Sequence, residues 1–248
     1  MEHYATAPDS AMLMRENPLL TEQLVRLIAT AGIDIAIETG TFLGEGSTRF
    51  IAECFLKVAP PKRFVTIEVL FSHWCRAKAN LRAYPFVDCR WGSTVDTEAA
   101  IRFIAADEML INHRNYHGIY IDDTDDPVGW YSRELRGQLN FSADVNVSAD
   151  ARNFLWDGEN LLLRLLQTHR DQRPLVILDS AGGVGWMEFH ILMEQMAGKP
   201  FFLLLDDTHH VKHVRSLEYI RKSSDFDLIA HGDSWALASH LRAEGAYV

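Results

Sequence analysis

The run FFLLLDDTHH, residues 201–210, places two carboxylates and two imidazoles directly behind five apolar residues. Adjacent like charges at the edge of a core destabilise a fold unless a cation, a proton or a ligand compensates them. Asp206, Asp207, His209 and His210 are therefore candidates for a working site. Carboxylate oxygens suit a hard divalent cation, while an imidazole titrates near neutral pH and can act as a general base or a ligand. His209 and His213 are four apart, which predicts a shared helix face. The competing reading keeps the histidines as surface polar groups and has Asp207 cap a helix.

A second apolar run, PLVILDS (174–180), ends in Asp179, so two neighbouring strands would deliver three carboxylates to one edge. Earlier in the chain, IETGTFLGEGS (37–47) sets Gly40, Gly44 and Gly46 between an apolar run and a helical pattern. Glycine allows a tight turn and close approach of a ligand to the backbone. The segment lacks the Gly-Lys-Ser/Thr ending of a phosphate loop and the G-x-G-x-x-G register. Its acid, Glu38, repels phosphate and welcomes an amine or a cation. VTIEV (65–69) ends similarly in Glu68, placed to accept hydrogen bonds from two ribose hydroxyls. Together these residues describe a pocket for a nucleoside bearing positive charge.

The elements that must position them alternate. A helix from Asn17 to Gly32 precedes strands predicted at 33–40, 63–69, 87–93, 174–180 and 201–207, with helical patterns between them. The segment 226–241, with HGDS between two apolar runs, reads as a closing antiparallel hairpin. The expected fold is α/β: a doubly wound, mainly parallel seven-stranded sheet covered by helices. Residues 1–32 form an N-terminal helical segment and 33–248 one domain, interrupted by an aromatic-rich insertion at about 106–154 that includes a lid. GIYID (118–122) competes with LVILD for the fourth strand; LVILD is preferred because one complete helix and one strand then follow it.

At these residues the sequence resembles the class I S-adenosylmethionine-dependent methyltransferases: ETGTFLG is similar to the family's first motif and VTIE to its second. The resemblance implies that Glu38, Gly40, Thr41, Phe42, Gly44 and Ser47 surround the methionine part of S-adenosylmethionine and that Glu68 holds its ribose. By the same resemblance Gly92, Ser93 and Thr94, in WGST, flank the adenine. The metal-dependent, catechol-O-methyltransferase-like branch implies magnesium or another divalent ion on Asp179, Asp206 and Asp207, with Asp179 also near the cofactor. That branch carries a lysine shortly after its first metal aspartate; here Gly182 and Gly183 occupy that neighbourhood, which leaves His209 or His210 as the base. The implied activity is methyl transfer to a hydroxyl of a sugar or natural product. A metal-free enzyme with a histidine base and a non-catalytic cofactor-binding protein remain the alternatives.

The whole chain sets limits. At 248 residues it is long enough to bury a sizeable core, and 48% apolar with 23% charged residues is ordinary globular composition. A net charge of −10 disfavours a general grip on nucleic-acid phosphates and favours a small-molecule partner. Cys54, Cys75 and Cys89 have no paired-ligand spacing, which suits a reducing compartment. The start of the chain has neither a basic leader nor a long apolar run, so a cytoplasmic location without membrane contact is expected. Aromatic residues of the insertion could equally form a homo-oligomer interface.

Overall fold

The computed structural model describes residues 14, 17–60, 63–122, 124–138 and 154–241. Most of the first sixteen residues and positions 139–153 of the insertion lie outside the described residues. In chain order the elements are α1 (Pro18–Ala31), β1 (Ile35–Thr39), α2 (Ser47–Leu56), β2 (Arg63–Glu68), α3 (Phe71–Asn80) and β3 (Val87–Trp91). There follow α4 (Thr97–Ala105), α5 (Glu108–Ile111), α6 (Pro127–Gln138), α7 (Leu161–Thr168), β4 (Pro174–Leu178) and α8 (Gly185–Gln195). The chain closes with β5 (Phe201–Asp206), α9 (Val214–Lys222), β6 (Phe226–His231) and β7 (Trp235–His240).

The seven strands form one sheet in the order β3-β2-β1-β4-β5-β7-β6. β1 to β5 run parallel, and β7 is antiparallel to both β5 and β6. This is the doubly wound fold expected from the sequence, with its closing hairpin. β1 and β4 are buried along their whole lengths, as strands covered on both faces must be. Period-2 alternation divides their side chains: Ala36, Leu175, Ile177, Phe202 and Leu204 pack with α1, α2 and α3, while Ile35, Ile37, Val176, Leu203 and Leu205 pack with α7, α8 and α9.

α1 begins where Asn17 accepts a hydrogen bond from the Leu20 amide and ends at Gly32 in a left-handed conformation. GIYID is not a strand; among its residues Tyr120 makes one isolated bridge, to His210, and LVIL forms β4. From the insertion, α6 packs on α4 and on the 182–184 turn, burying Tyr131 and Leu135 with Ile101, Ile104 and Val184. Among the described residues no helix is long and apolar enough to cross a membrane.

Candidate functional site

Strand register assembles the site. Thr39 pairs with Ile67 on one side and Leu178 on the other, so Gly40, Glu68 and Asp179 leave the sheet side by side. Leu178 in turn pairs with Leu205, which brings Asp206 level with Asp179. Between β1 and β4 the strand order reverses, and ligands of open parallel sheets bind at such a reversal, beyond the carboxyl ends of the strands. A cavity of about 360 Å³ opens there, lined by Gly40, Phe42, Glu68, Gly92, Ser93, Thr94 and Asp179 among others, with Glu134, Leu135 and Gln138 of α6 as a further wall. The volume is that of a typical small-molecule site.

Gly40 has φ +84°, and a Cβ on it would lie 2.8 Å from the Asp179 carbonyl carbon and closer still to its oxygen. The β1 and β4 ends can approach this closely only with glycine there. Glu68 accepts the amides of Phe42 at 2.7 Å and Leu70 at 2.8 Å, which ties the glycine turn to the end of β2. Each carboxylate oxygen keeps lone-pair capacity for a ligand hydroxyl. Burial pushes Glu68 up to about 7.

Other residues expected at the cofactor lie elsewhere. Glu38 is fully buried on the α2 side of the sheet, not on the cavity wall. Its Oε2 accepts the hydroxyls of Thr48 and Thr66, both at 2.6 Å, and burial pushes it up to about 7. The alternation of β1 decides this, because Glu38 shares its face with Ala36. Thr41 bonds Thr66 at 2.6 Å. Gly44 (φ +72°) lets the turn pass Leu81 and Ala77, and Ser47 donates to Asp179 Oδ2 at 2.8 Å.

Glu188, on α8, escaped the sequence reading because its helical surroundings look like any core face. Its Oε1 accepts the hydroxyls of Thr94 (2.5 Å) and Ser180 (2.7 Å), and its Oε2 accepts that of Thr39 (2.9 Å). Thr39 in turn accepts the Asp179 amide at 3.1 Å. One buried carboxylate thus fastens the end of β1 and the loops after β3 and β4, and Thr94 and Ser180 both line the cavity.

Asp179, Asp206 and Asp207 do converge: one oxygen from each lies within 4.8 Å of the others. Burial, reinforced by Asp179 and Asp207, raises Asp206 well above the ordinary carboxylate range. Among these acids stands Lys212, with Nζ 2.9 Å from Asp207 Oδ2 and 3.5 Å from Asp179 Oδ1 and a side chain only 5% exposed. An ion held by these oxygens at its usual ~2.0–2.6 Å would be crowded against that ammonium. The donor set therefore does not fit a divalent cation while Lys212 remains in place.

The absence of a lysine near Gly182 and Gly183 also has a physical reason. A Cβ on Gly183 would lie 3.0 Å from the Tyr131 ring of α6, which fills that space. Lys212 enters from the loop after β5 instead. The letters DDTHHVKH already contained it, but only the loop path brings it back to the acids.

The histidines divide differently from the sequence expectation. Residues 208–213 form turns broken by the His210 bridge, and α9 starts at Val214, so His209 and His213 share no helix face. His210 is committed within the protein: its Nδ1 accepts the Lys212 amide at 3.2 Å, and its Nε2 lies 3.5 Å from Asp122 of the insertion. His213 is fully buried, held well below the ordinary imidazole range chiefly by burial and then by the Lys212 charge. His209 is partly exposed and packs beside Tyr120. Its ring nitrogens have no hydrogen-bond partner among the described residues.

These buried groups set a pH dependence. Glu38 and Glu68 titrate near 7 in the fold against an ordinary 4.5, so their stabilising contribution is complete below the unfolded value and lost as pH rises through about 7. His213, lowered from 6.5, contributes stability above that value and loses it as pH falls. Lowering pH from about 8 to about 6.5 should therefore add roughly 1–2 kcal/mol, and below that the His213 loss slows the further gain without reversing it until pH nears the ordinary carboxylate value of 4.5. Urea denaturation across a pH series checks this; stability that climbs steadily with pH over the same window contradicts it.

No protein-family model and no curated protein matches the chain. Solved structures with some likeness include an O-methyltransferase from Bacillus cereus in complex with SAH, at 13% identity and TM-score 0.47, covering 91% of this chain and 82% of that one. Another is the O-methyltransferase TomG from Streptomyces achromogenes, involved in tomaymycin synthesis and bound to SAM, at 15% identity and TM-score 0.47, covering 95% and 83%. An rRNA methylase from Streptococcus thermophilus is similar at 9% identity and TM-score 0.40, covering 91% and 98%.

Proposed function

We propose that this chain transfers a methyl group from S-adenosylmethionine to a hydroxyl oxygen of a small molecule, in the cytoplasm. The observation that carries the reading is the cavity at the strand-order reversal, which Asp179 joins to the Asp206–Asp207–Lys212 cluster. The cavity fits the donor: its glycine edge admits backbone approach, Glu68 offers acceptor oxygens to a ribose, and Asp179 and Glu134 favour a cation.

When bound, S-adenosylmethionine supplies a methyl carbon that the acceptor oxygen attacks while the carbon–sulfur bond breaks and its electron pair stays on sulfur. Asp207 receives the acceptor hydroxyl in a hydrogen bond, a role that its 43% exposure supports. His209, two residues on and partly exposed, takes the acceptor's proton, since His210 and His213 are enclosed.

Titration calorimetry with S-adenosylmethionine tests the reading. Binding in the micromolar range is expected. Glu68→Ala should weaken it by about 10- to 100-fold, the worth of hydrogen bonds to a charged group. His209→Ala should leave binding intact and slow transfer. No detectable binding by the wild-type protein sinks the reading, and equal loss of affinity in both variants contradicts the division of roles.

A further inference from the structure

We propose that the Lys212 ammonium is the resident cation of the Asp179–Asp206–Asp207 cluster, standing where a divalent ion would otherwise bind, so that methyl transfer here proceeds without metal. The consequence for catalysis rests on the methyl-transfer reading; the occupancy of the cluster does not.

Three observations converge. Lys212 Nζ meets two of the three carboxylates, at 2.9 and 3.5 Å. The path of the lysine is built: its amide donates to His210 Nδ1, whose Nε2 faces Asp122, and the His210 amide donates to the Asp207 carbonyl at 2.8 Å. The loop is further pinned by the Thr208 amide on the Ser234 carbonyl and by the exchange between Tyr120 and residues His209 and Val211. Room has also been made for it: a Cβ on Gly185, at the start of α8, would lie 2.9 Å from Lys212 Cβ and 2.8 Å from His213 Cε1.

Buried carboxylates require a compensating charge. Lys212 supplies it covalently, holding Asp179 at the cavity and Asp207 toward solvent in one geometry. An acceptor hydroxyl then meets a hydrogen-bonding carboxylate and not a Lewis acid. Lys212 acts through the aspartates and is a positioning residue.

The test is titration of chelator-treated protein with Mn2+, read by electron paramagnetic resonance in the absence of S-adenosylmethionine. The wild-type protein should show no stoichiometric Mn2+ binding. Lys212→Met, which keeps much of the side chain's volume and removes its charge, should bind Mn2+ about tenfold tighter or better, because the repelling charge is gone and three carboxylates remain. Adding Asp206→Asn should abolish that gain, a response that a purely structural lysine would not give. Stoichiometric Mn2+ binding by the wild-type protein that is lost in Asp206→Asn overturns the proposal, as does a folded Lys212→Met that takes up no more Mn2+ than wild type. If Lys212→Met does not fold, the wild-type titration alone decides. Failure to bind S-adenosylmethionine would remove the methyl-transfer reading while leaving the Mn2+ result to stand.

Discussion

Gly40→Ala should abolish measurable S-adenosylmethionine binding and lower stability by about 2–5 kcal/mol. Two costs combine. The residue sits at φ +84°, where a side chain is strained by about 1–2 kcal/mol. Its Cβ would also strike backbone, the carbonyl group of Asp179 and the Cα of Ser180, and backbone at the end of a buried strand cannot rotate away as a side-chain tip can. β1 and β4 must separate at their carboxyl ends, which moves Asp179 and Ser180, both on the cavity wall. Calorimetric titration and urea denaturation of one preparation read the two effects. A Gly40→Ala protein as stable as wild type, or one that binds the cofactor unchanged, would show that this approach is not part of the site.

Glu188→Ala should cost about 3–5 kcal/mol, at the far end of what single substitutions do. It leaves the hydroxyls of Thr39, Thr94 and Ser180 without their shared acceptor and opens a hole beneath them. Because Thr94 and Ser180 line the cavity, cofactor affinity should fall together with stability. Glu188→Gln keeps one acceptor oxygen and nearly the same volume, so it should lose roughly half as much. Denaturation midpoints for the pair give the answer. Equal losses in the two variants would mean that packing, not hydrogen bonding, is what Glu188 contributes.

Several of these features were legible in the sequence for one reason: a strand fixes its own alternation and its own end. IAIET, RFVTIE, PLVIL and FFLLLD each announce a buried strand, and the residue at or just past each end falls at the carboxyl edge whatever else the fold does. Parallel pairing then makes Gly40, Glu68, Asp179 and Asp206 neighbours, so the glycine turn, the acid that ends β2 and the carboxylate cluster fall together at one edge. The strand alternation that revealed β1 also carried the answer for Glu38, which shares a parity with Ala36 and therefore faces α2.

What tertiary structure alone decided concerns side chains whose partners come from distant segments. Lys212 is one of several polar letters in DDTHHVKH until its loop is pinned by Ser234 and Tyr120, and until Gly185 leaves room for it. His210 looked as available as His209 until Asp122 arrived from the insertion. Glu188 is a helical acid like any other until three hydroxyls from three different segments meet it. Sequence by itself determined the sheet, its edge and the residue types delivered there, because those follow from local periodicity. The folded chain decided which cation neutralises the acids and which imidazole is left without a hydrogen bond among the described residues, because both depend on loop paths set by contacts far apart in the chain.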